Sequence, residues 1–375
     1  MSTQEITRYI TEIDKIYKTG KATEHSYRPA LKTLIENLTT GLTITNEPKQ
    51  IDCGAPDYII TKNDIPLGYI EAKDILVGLN NKSNKAQFDR YKQSLGNIIF
   101  TDYLTFQLFV DGNHFATVSI AELTGKVITP NKKEFDAFIA LVNHFTGYKG
   151  KTIYKSLDLA KMMALKAKLL SEIINKTLAD NDSKESTLFG QLEGFRKILI
   201  RNLDVSSFAD IYAQTLAYGL FAARLNQKDS QVFKREIAAK LIPLSNPFLR
   251  KFFNYIAGID LDERICWIVD ALAELFNAVS IEDIYKEFSK ENQDPFIHFY
   301  ETFLAEYDPA LRESRGVYYT PLPVVQFIVQ AVDDILKKEF GLSKGLADNS
   351  KIKLPTKNEK SENNKREYHK VQILD

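Results

Sequence analysis

The sequence predicts an α/β domain, then an all-α domain, and at its C-terminal end the incomplete start of a second, Rossmann-like α/β domain. Alternating apolar residues within 57–73 and 97–110, with turn-type clusters between them, predict the strands of a small mixed sheet. From about residue 150 the apolar residues recur instead with the helical period of about 3.6 residues. Residues 371–375 predict one further strand. The predicted domains are 1–148, 149–306 and 307–375.

Composition favours a soluble intracellular protein. The chain has 375 residues, 44% of them apolar, and equal numbers of basic and acidic residues, 49 of each. This balance argues against a generally cationic DNA-coating protein, but not against an enzyme that confines its basic residues to one groove. Cys53 and Cys266 are too few and too far apart for a disulfide framework or a zinc site, which favours a reducing cytoplasm. The sequence has neither a signal-peptide core nor a run of about 18 apolar residues, so neither export nor a membrane span is expected.

The most informative residues lie in two predicted strands. Asp57 opens the first, and Glu71 and Lys73 end the second, with a turn-type cluster at 61–64 between them. Side chains alternate along a strand, so Glu71 and Lys73 point to the same face. A hairpin would then bring Asp57 beside Glu71. Two converging carboxylates suit Mg²⁺, which binds water and phosphate as well, and a lysine beside them can orient the attacking water. The alternative is a chance pattern of acids and lysines on exposed strands.

Four neighbouring residues add to this pattern. Glu24 begins a predicted amphipathic helix, from which its carboxylate can reach the metal; a capping or solvated role is the alternative. Gln87 and Tyr91 are spaced i, i+4 and share one face of another predicted helix, together with Arg90 and several lysines. That helix is a candidate for contact with a phosphate backbone, and a solvated charged face is the alternative. Two apolar runs, at 97–100 and 104–110, are interpreted as the last strands of the sheet.

The residues Pro56-Asp57 and Glu71-Ala72-Lys73 resemble the PD-(D/E)xK pattern of metal-dependent nucleases. With Glu24 and the Gln87-to-Tyr91 helix, residues 1–148 resemble the nuclease domain of restriction endonuclease-methyltransferase fusions of types IIG and IIL. The resemblance implies a PD-(D/E)xK fold, with Asp57 and Glu71 as metal ligands, Lys73 as the catalytic lysine and Glu24 as the helix acid. It also implies Mg²⁺ as cofactor and double-stranded DNA as substrate.

The predicted all-α domain carries no residue pattern with a chemical role. Its helices are predicted at 157–178, 186–202, 207–225, 232–240, 247–256, 263–277, 281–289 and 295–305. Residues 207–220 resemble the helical segment that joins nuclease and methyltransferase in the same fusions, which implies a mechanical role as a spacer. Close packing of its small residues explains the same pattern without that role.

The C-terminal segment contains Tyr318-Tyr319-Thr320-Pro321 before a predicted helix at 323–340. These residues resemble the motif that opens the adenine N6-methyltransferase domain of the fusions, where it lines the S-adenosylmethionine pocket. Residues 343–370 have the composition of an exposed, disordered insertion. The strand at 371–375 resembles the first strand of that domain, which places Asp375 at the cofactor site. The glycine-rich cofactor loop and the NPPY-type motif of the family do not occur, so methyl transfer is not expected from this chain.

Two functional hypotheses remain from the sequence. The first is a Mg²⁺-dependent endonuclease domain acting on double-stranded DNA, as the N-terminal part of a restriction-modification enzyme whose full-length family consists of adenine-specific DNA methyltransferases. The second is a catalytically inactive remnant, or a coupling module that binds DNA or a separately encoded methyltransferase and specificity half. The intact set of carboxylates favours the first hypothesis, and the incomplete methyltransferase segment favours the second.

Overall fold

The computed structural model describes residues 2–46, 55–62, 65–75, 77–79, 81–148, 150, 152–179, 186–228, 231–242, 253–258, 261–290, 295–314, 320, 322–355 and 365–372. The chain divides into two compact units, residues 1–312 and residues 313–375. The predicted boundary at residue 148 lies inside the first unit. The Mg²⁺-site pattern and the long helical region therefore belong to one compact body.

The first unit contains a six-stranded mixed sheet in the strand order β1-β2-β3-β4-β5-β6. Its strands are Thr43–Asn46 (β1), Tyr58–Lys62 (β2), Ile65–Ala72 (β3), Asn97–Thr101 (β4), Thr105–Val110 (β5) and Asn113–Ser119 (β6). β3 and β4 are parallel, and the other neighbours are antiparallel. The predicted hairpin is confirmed, because Tyr58 of β2 is in register with Ile70 of β3.

The sheet extends beyond the predicted strands on both sides. The interpretation of 104–110 as the last strand was wrong, because Asn113–Ser119 follows as β6. Asp111 and Gly112 form the tight connection, and both have positive φ angles, 48° and 77°. Two consecutive residues with positive φ are typical of the two-residue turn that closes a β-hairpin. The Asp-Gly pair therefore joins two strands and does not end the sheet. A separate two-stranded sheet follows, formed by Ala121–Thr124 (β7) and Val127–Pro130 (β8).

Helices pack against both faces of the six-stranded sheet. One apolar cluster joins Ile60 and Ile70 of the sheet to the helices Ser2–Tyr17 (α1), Glu24–Leu38 (α2) and Phe135–Thr146 (α4). The other joins Ile59, Tyr69 and Ile98 to Lys85–Ser94 (α3) and to the helical region. Neighbouring residues of β2 and β3 thus face different clusters, as the period-two pattern requires.

The helical region follows the predicted helices closely. Its helices are Ser156–Ala179 (α5), Thr187–Ile198 (α6), Val205–Asn226 (α7), Arg235–Leu241 (α8), Glu263–Asn277 (α9), Ile281–Lys290 (α10), Pro295–Tyr307 (α11) and Pro309–Ser314 (α12). Residues 253–257 are also helical, whereas most of the helix predicted at 247–256 lies outside the described residues. Among the described helices, none combines the length and apolar character needed to cross a membrane.

This helical region packs directly on the sheet. The rings of Tyr69 in β3 and Trp267 in α9 make an edge-on contact with 5.8 Å between centroids. Lys166 of α5 is buried and donates a hydrogen bond from Nζ to the carbonyl oxygen of Ser94 at the end of α3, at 2.8 Å. Sheet, α3 and helical region therefore share a continuous core.

The second unit, described by itself, contains Leu322–Lys338 (α13) and an antiparallel hairpin of Lys351–Pro355 (β9) and Lys365–His369 (β10). The prediction of a disordered insertion at 343–370 was wrong at these residues, because Tyr368 pairs with Ile352 and Glu367 lies between Lys351 and Lys353. Val371 and Gln372 are not in a strand, contrary to the strand predicted at 371–375; the rest of that segment lies outside the described residues.

A buried asparagine fixes β3, β4 and α4 together. Asn97 donates from Nδ2 to the carbonyl oxygens of Leu67 and Phe145, both at 2.8 Å. This close approach requires glycine at position 68, where an added Cβ would lie 2.5 Å from Phe145 Cε2 and 2.7 Å from Asn97 Nδ2. The glycine thus sets the distance between strand and helix.

We predict that Gly68→Ala lowers the free energy of unfolding by about 1–3 kcal/mol, because the methyl group overpacks this contact. Gly190→Ala in α6 is the matched control, since nothing lies within 4 Å of its added Cβ. This substitution in a helix is expected to raise stability by about 0.5–1 kcal/mol. Urea unfolding of both variants is the measurement, and equal effects of the two substitutions would contradict the packing described here.

Candidate active site

The predicted catalytic residues meet at the ends of β2 and β3. Asp57 precedes β2, and Glu71 and Lys73 lie at the end of β3, so the hairpin register places them together. The carboxylate of Asp57 accepts a hydrogen bond from the backbone N–H of Ala72 at 2.7 Å. This bond ties Asp57 to the residue between Glu71 and Lys73. The three side chains whose spacing suggested a common site are thus neighbours.

Glu71 is buried, with 2% of its surface exposed. One carboxylate oxygen, Oε1, accepts from Lys73 Nζ at 2.6 Å and from Gln87 Nε2 at 2.9 Å. The other, Oε2, is a buried oxygen without a hydrogen-bond partner within the described part of the chain. A buried carboxylate oxygen left in this way is costly unless a ligand satisfies it.

Arg28 is the residue that sequence analysis missed. It lies in α2 with 5% of its surface exposed, and its Nη2 contacts both Asp57 Oδ1 and, at 3.2 Å, Glu24 Oε1. A signal was present in the sequence, because Arg28, Leu31 and Ile35 are spaced i, i+3, i+7 on the apolar stripe of the helix. A charged residue on such a stripe is buried and needs a charged partner.

Tyrosine hydroxyls fix the N-terminal part of α2 over the strands. Tyr58 of β2 donates to the carbonyl oxygen of Arg28 at 3.0 Å. Tyr103 donates to the carbonyl oxygen of Glu24 at 2.8 Å, from a loop where its own φ is 69°. Tyr9 of α1 in turn donates to the carbonyl oxygen of Tyr103 at 2.7 Å. The position of α2 relative to Asp57 is therefore set by three buried or partly buried hydrogen bonds.

Helix α3 supports the site from the other face of the sheet. Gln87 contacts Glu71 directly, and Tyr91, fully buried, lies with its hydroxyl 3.4 Å from Gln87 Nε2. Arg90 forms an ion pair at 2.7 Å with Glu172 of α5. Gln87 and Tyr91 therefore act in support of Glu71. Arg90 links α3 to the helical region.

Burial dominates the ionisation of the carboxylates. It raises the pKa of Asp57 to about 6, although Arg28 and the Ala72 N–H oppose the shift. It raises the pKa of Glu71 to about 8, with the charge of Asp57 acting in the same direction and Lys73 opposing it. Burial lowers the pKa of Lys73, but the contact with Glu71 outweighs burial, and the net shift is upward. Lys73 therefore stays charged while Glu71 is easily protonated.

The donor set fits a hard divalent cation. The carboxylates of Asp57 and Glu71 are hard oxygen donors, and Oε2 of Glu71 has no other partner in the described residues. No group of three or more His, Cys, Asp or Glu side chains within the described ranges is arranged to hold a metal. A two-carboxylate site suits Mg²⁺, which keeps several waters and is completed by substrate phosphate. It does not suit a metal that needs a full cage of protein ligands.

Of the residues assigned by resemblance to an S-adenosylmethionine pocket, Thr320 alone lies among the described residues. Thr320 is exposed and lies two residues before α13. Tyr318, Tyr319, Pro321 and Asp375 lie outside the described residues, as does Cys53. The cofactor prediction for this segment stays a prediction.

Comparison with known proteins yields a distant structural likeness. No family model matches the chain, and no curated protein matches it. Among solved structures, the chain is similar to one described as a cryo-EM structure of a DrdV–DNA complex, with 19% sequence identity and a TM-score of 0.31. The alignment covers 90% of this chain and 32% of that chain, so this chain spans about a third of the length of that protein. A likeness this distant supports no inference about fold or function.

We predict that the stability of the metal-free protein falls as the pH rises from about 4.5 to about 8. Below this range Glu71 is protonated in both the folded and the unfolded protein. As the pH rises, the unfolded chain loses this proton first, so the folded state becomes less stable relative to it. The decline ends at the pKa of Glu71 in the folded protein, about 8. Glu71→Gln removes the ionisable group, so it should abolish most of this decline, on the order of 2–4 kcal/mol.

The measurement is urea unfolding in EDTA at pH 5 and pH 8. Glu122→Gln, on the exposed face of β7, is the matched control and should keep the wild-type pH dependence. A Glu71→Gln protein that declines with pH as steeply as the wild type would show that Glu71 is not the responsible group.

Proposed function

We propose that the first unit of this chain is a Mg²⁺-dependent endonuclease with a PD-(D/E)xK active site that cleaves double-stranded DNA. The observation that carries the proposal is the cluster of buried Asp57 and Glu71 with half-buried Lys73, in which one carboxylate oxygen of Glu71 lacks a partner among the described residues. A buried acid pair beside a charged lysine is costly for a structural role alone. Perturbed ionisable groups clustered in this way are typical of catalytic sites.

Each residue has a definite role in this proposal. Asp57 and Glu71 hold the cation, and Gln87 fixes the orientation of Glu71. Bound Mg²⁺ supplies a Lewis acid for the scissile phosphate and lowers the pKa of a bound water. Lys73, held at 2.6 Å from Glu71, orients the attacking water and stabilises the negative charge that develops on the phosphate. Its raised pKa keeps it positively charged for this task.

The wider context of the proposal is a restriction-modification enzyme. Residues 207–220 lie in α7 of the first unit, and Thr320 lies in the second unit. We infer that the chain corresponds to the nuclease and connecting helices of an adenine-specific DNA methyltransferase fusion. The inference rests on the sequence resemblance.

One observation favours a second function. Arg28 forms a buried ion pair with Asp57, and its guanidinium competes with a metal cation for that carboxylate. A site locked in this state would leave a DNA-binding or partner-binding module without cleavage activity. The two functions differ in whether metal reaches Asp57.

Plasmid cleavage separates the two functions. With Mg²⁺, the wild-type chain is expected to nick or linearise supercoiled DNA. Lys73→Ala and Asp57→Ala are each expected to lower the cleavage rate by about 100-fold or more. Lys73→Ala removes charge stabilisation at the phosphate, and Asp57→Ala removes a metal ligand. Each cleavage assay is carried out both with and without S-adenosylmethionine, and with and without a complementing methyltransferase half.

Lys126→Ala is the matched control, because Lys126 is exposed in the turn between β7 and β8. It should cleave at the wild-type rate. Absence of cleavage by a folded wild-type protein under all these conditions would support the binding module instead. Cleavage that survives both active-site substitutions would refute the assigned residues.

A further inference from the structure

One nitrogen atom of Arg28 is shared between two acids. Its Nη2 contacts Asp57 Oδ1 and lies 3.2 Å from Glu24 Oε1. The two acids differ in environment, since the Asp57 side chain is 8% exposed and the Glu24 side chain 26% exposed. The guanidinium therefore sits between a buried carboxylate assigned to the metal and a more exposed one on its own helix.

A guanidinium and a divalent cation cannot both bind Asp57 without repulsion. Like charges a few ångströms apart in a partly buried site repel strongly, because water screens them poorly. In the metal-free protein, Arg28 offsets part of the cost of burying the Asp57 charge. Once a divalent cation supplies the compensating positive charge, the contact between Arg28 and Asp57 becomes unfavourable.

Glu24 offers Arg28 a second position at small cost. It is spaced i, i+4 from Arg28 in α2, so the two side chains are neighbours on the helix. The backbones of both residues are fixed by hydrogen bonds from Tyr103 and Tyr58. A change of partner thus requires only side-chain rotation, with the helix in place.

We propose that Arg28 is a placeholder cation, which neutralises Asp57 in the metal-free protein and moves to Glu24 when a divalent cation binds Asp57 and Glu71. This role rests on the proposed nuclease function for the identity of the metal ligands. Arg28 and Glu24 are then positioning residues that set metal affinity, and Glu24 acts through Arg28 without contacting the metal.

The proposal requires opposite effects from the two positions. Arg28→Gln removes the competing cation and is expected to bind metal roughly tenfold more tightly, as loss of one close like charge implies. Glu24→Gln removes the second position, holds Arg28 on Asp57 and is expected to bind metal several-fold more weakly. In the Arg28→Gln background, Glu24→Gln should change nothing further, since its effect passes through Arg28.

Mn²⁺ titration followed by electron paramagnetic resonance measures these affinities without reference to DNA cleavage. Glu36→Gln is the matched control, since Glu36 is an exposed acid of the same helix with its own i, i+4 partner, Lys32. It should bind Mn²⁺ as the wild type does. The proposal is overturned if Arg28→Gln binds Mn²⁺ no more tightly than the wild type, or if Glu24→Gln weakens binding equally in both backgrounds, which would make Glu24 a direct ligand.

A second measurement does not depend on the folding of Arg28→Gln. In wild-type protein with ¹⁵N-labelled arginine, the Arg28 guanidinium resonance, assigned with Arg28→Lys, is expected to shift in proportion to bound Mg²⁺ and to shift less in Glu24→Gln. An unchanged resonance at saturating Mg²⁺, or a wild-type protein that binds neither Mn²⁺ nor Mg²⁺, would overturn the proposal. Normal metal binding, with Arg28 moving from Asp57 to Glu24 but without DNA cleavage, would refute the nuclease function and leave the role of Arg28 standing.

Discussion

The burial of two carboxylates at the ends of β2 and β3 is the constraint on which the rest of the site depends. Neither Asp57 nor Glu71 can be buried and ionised without cations or donors around it. The chain provides Arg28 and the Ala72 N–H for Asp57, and Lys73 and Gln87 for Glu71. These partners come from a helix on each side of the sheet and from the strand itself, so the need to compensate two charges determines how α2, β3 and α3 are arranged.

Much of this arrangement follows from local periodicity, and those parts were predicted. Glu71 and Lys73 share a face because strand side chains alternate, and Asp57 lies beside them because the hairpin is in register. Gln87 and Tyr91 meet because they are one helical turn apart. Each of these relations involves residues within one element or across one short turn. The sequence alone determines such relations well.

Relations between distant elements were missed. The pairing of Arg28 with Asp57 depends on how α2 lies over β2. That contact is fixed by Tyr58 and Tyr103, which the pattern of α2 does not contain. The strand β6 was missed for a different reason: the Asp111-Gly112 turn was interpreted as an end, although it is a hairpin signal. The pairing of β9 with β10 was missed because lysine- and glutamate-rich strands, whose charges pair across the hairpin, have the composition of a disordered segment.

The helical region takes part in the support of the site, because its core is continuous with the sheet. α3 presents Gln87 to Glu71 on one side, and on the other it is held by the buried Lys166 at its last turn and by Glu172 through Arg90. Burial lowers the pKa of Lys166 to about 8, and its Nζ donates a hydrogen bond to the carbonyl end of α3. A displacement of α5 would therefore move the residue that orients Glu71.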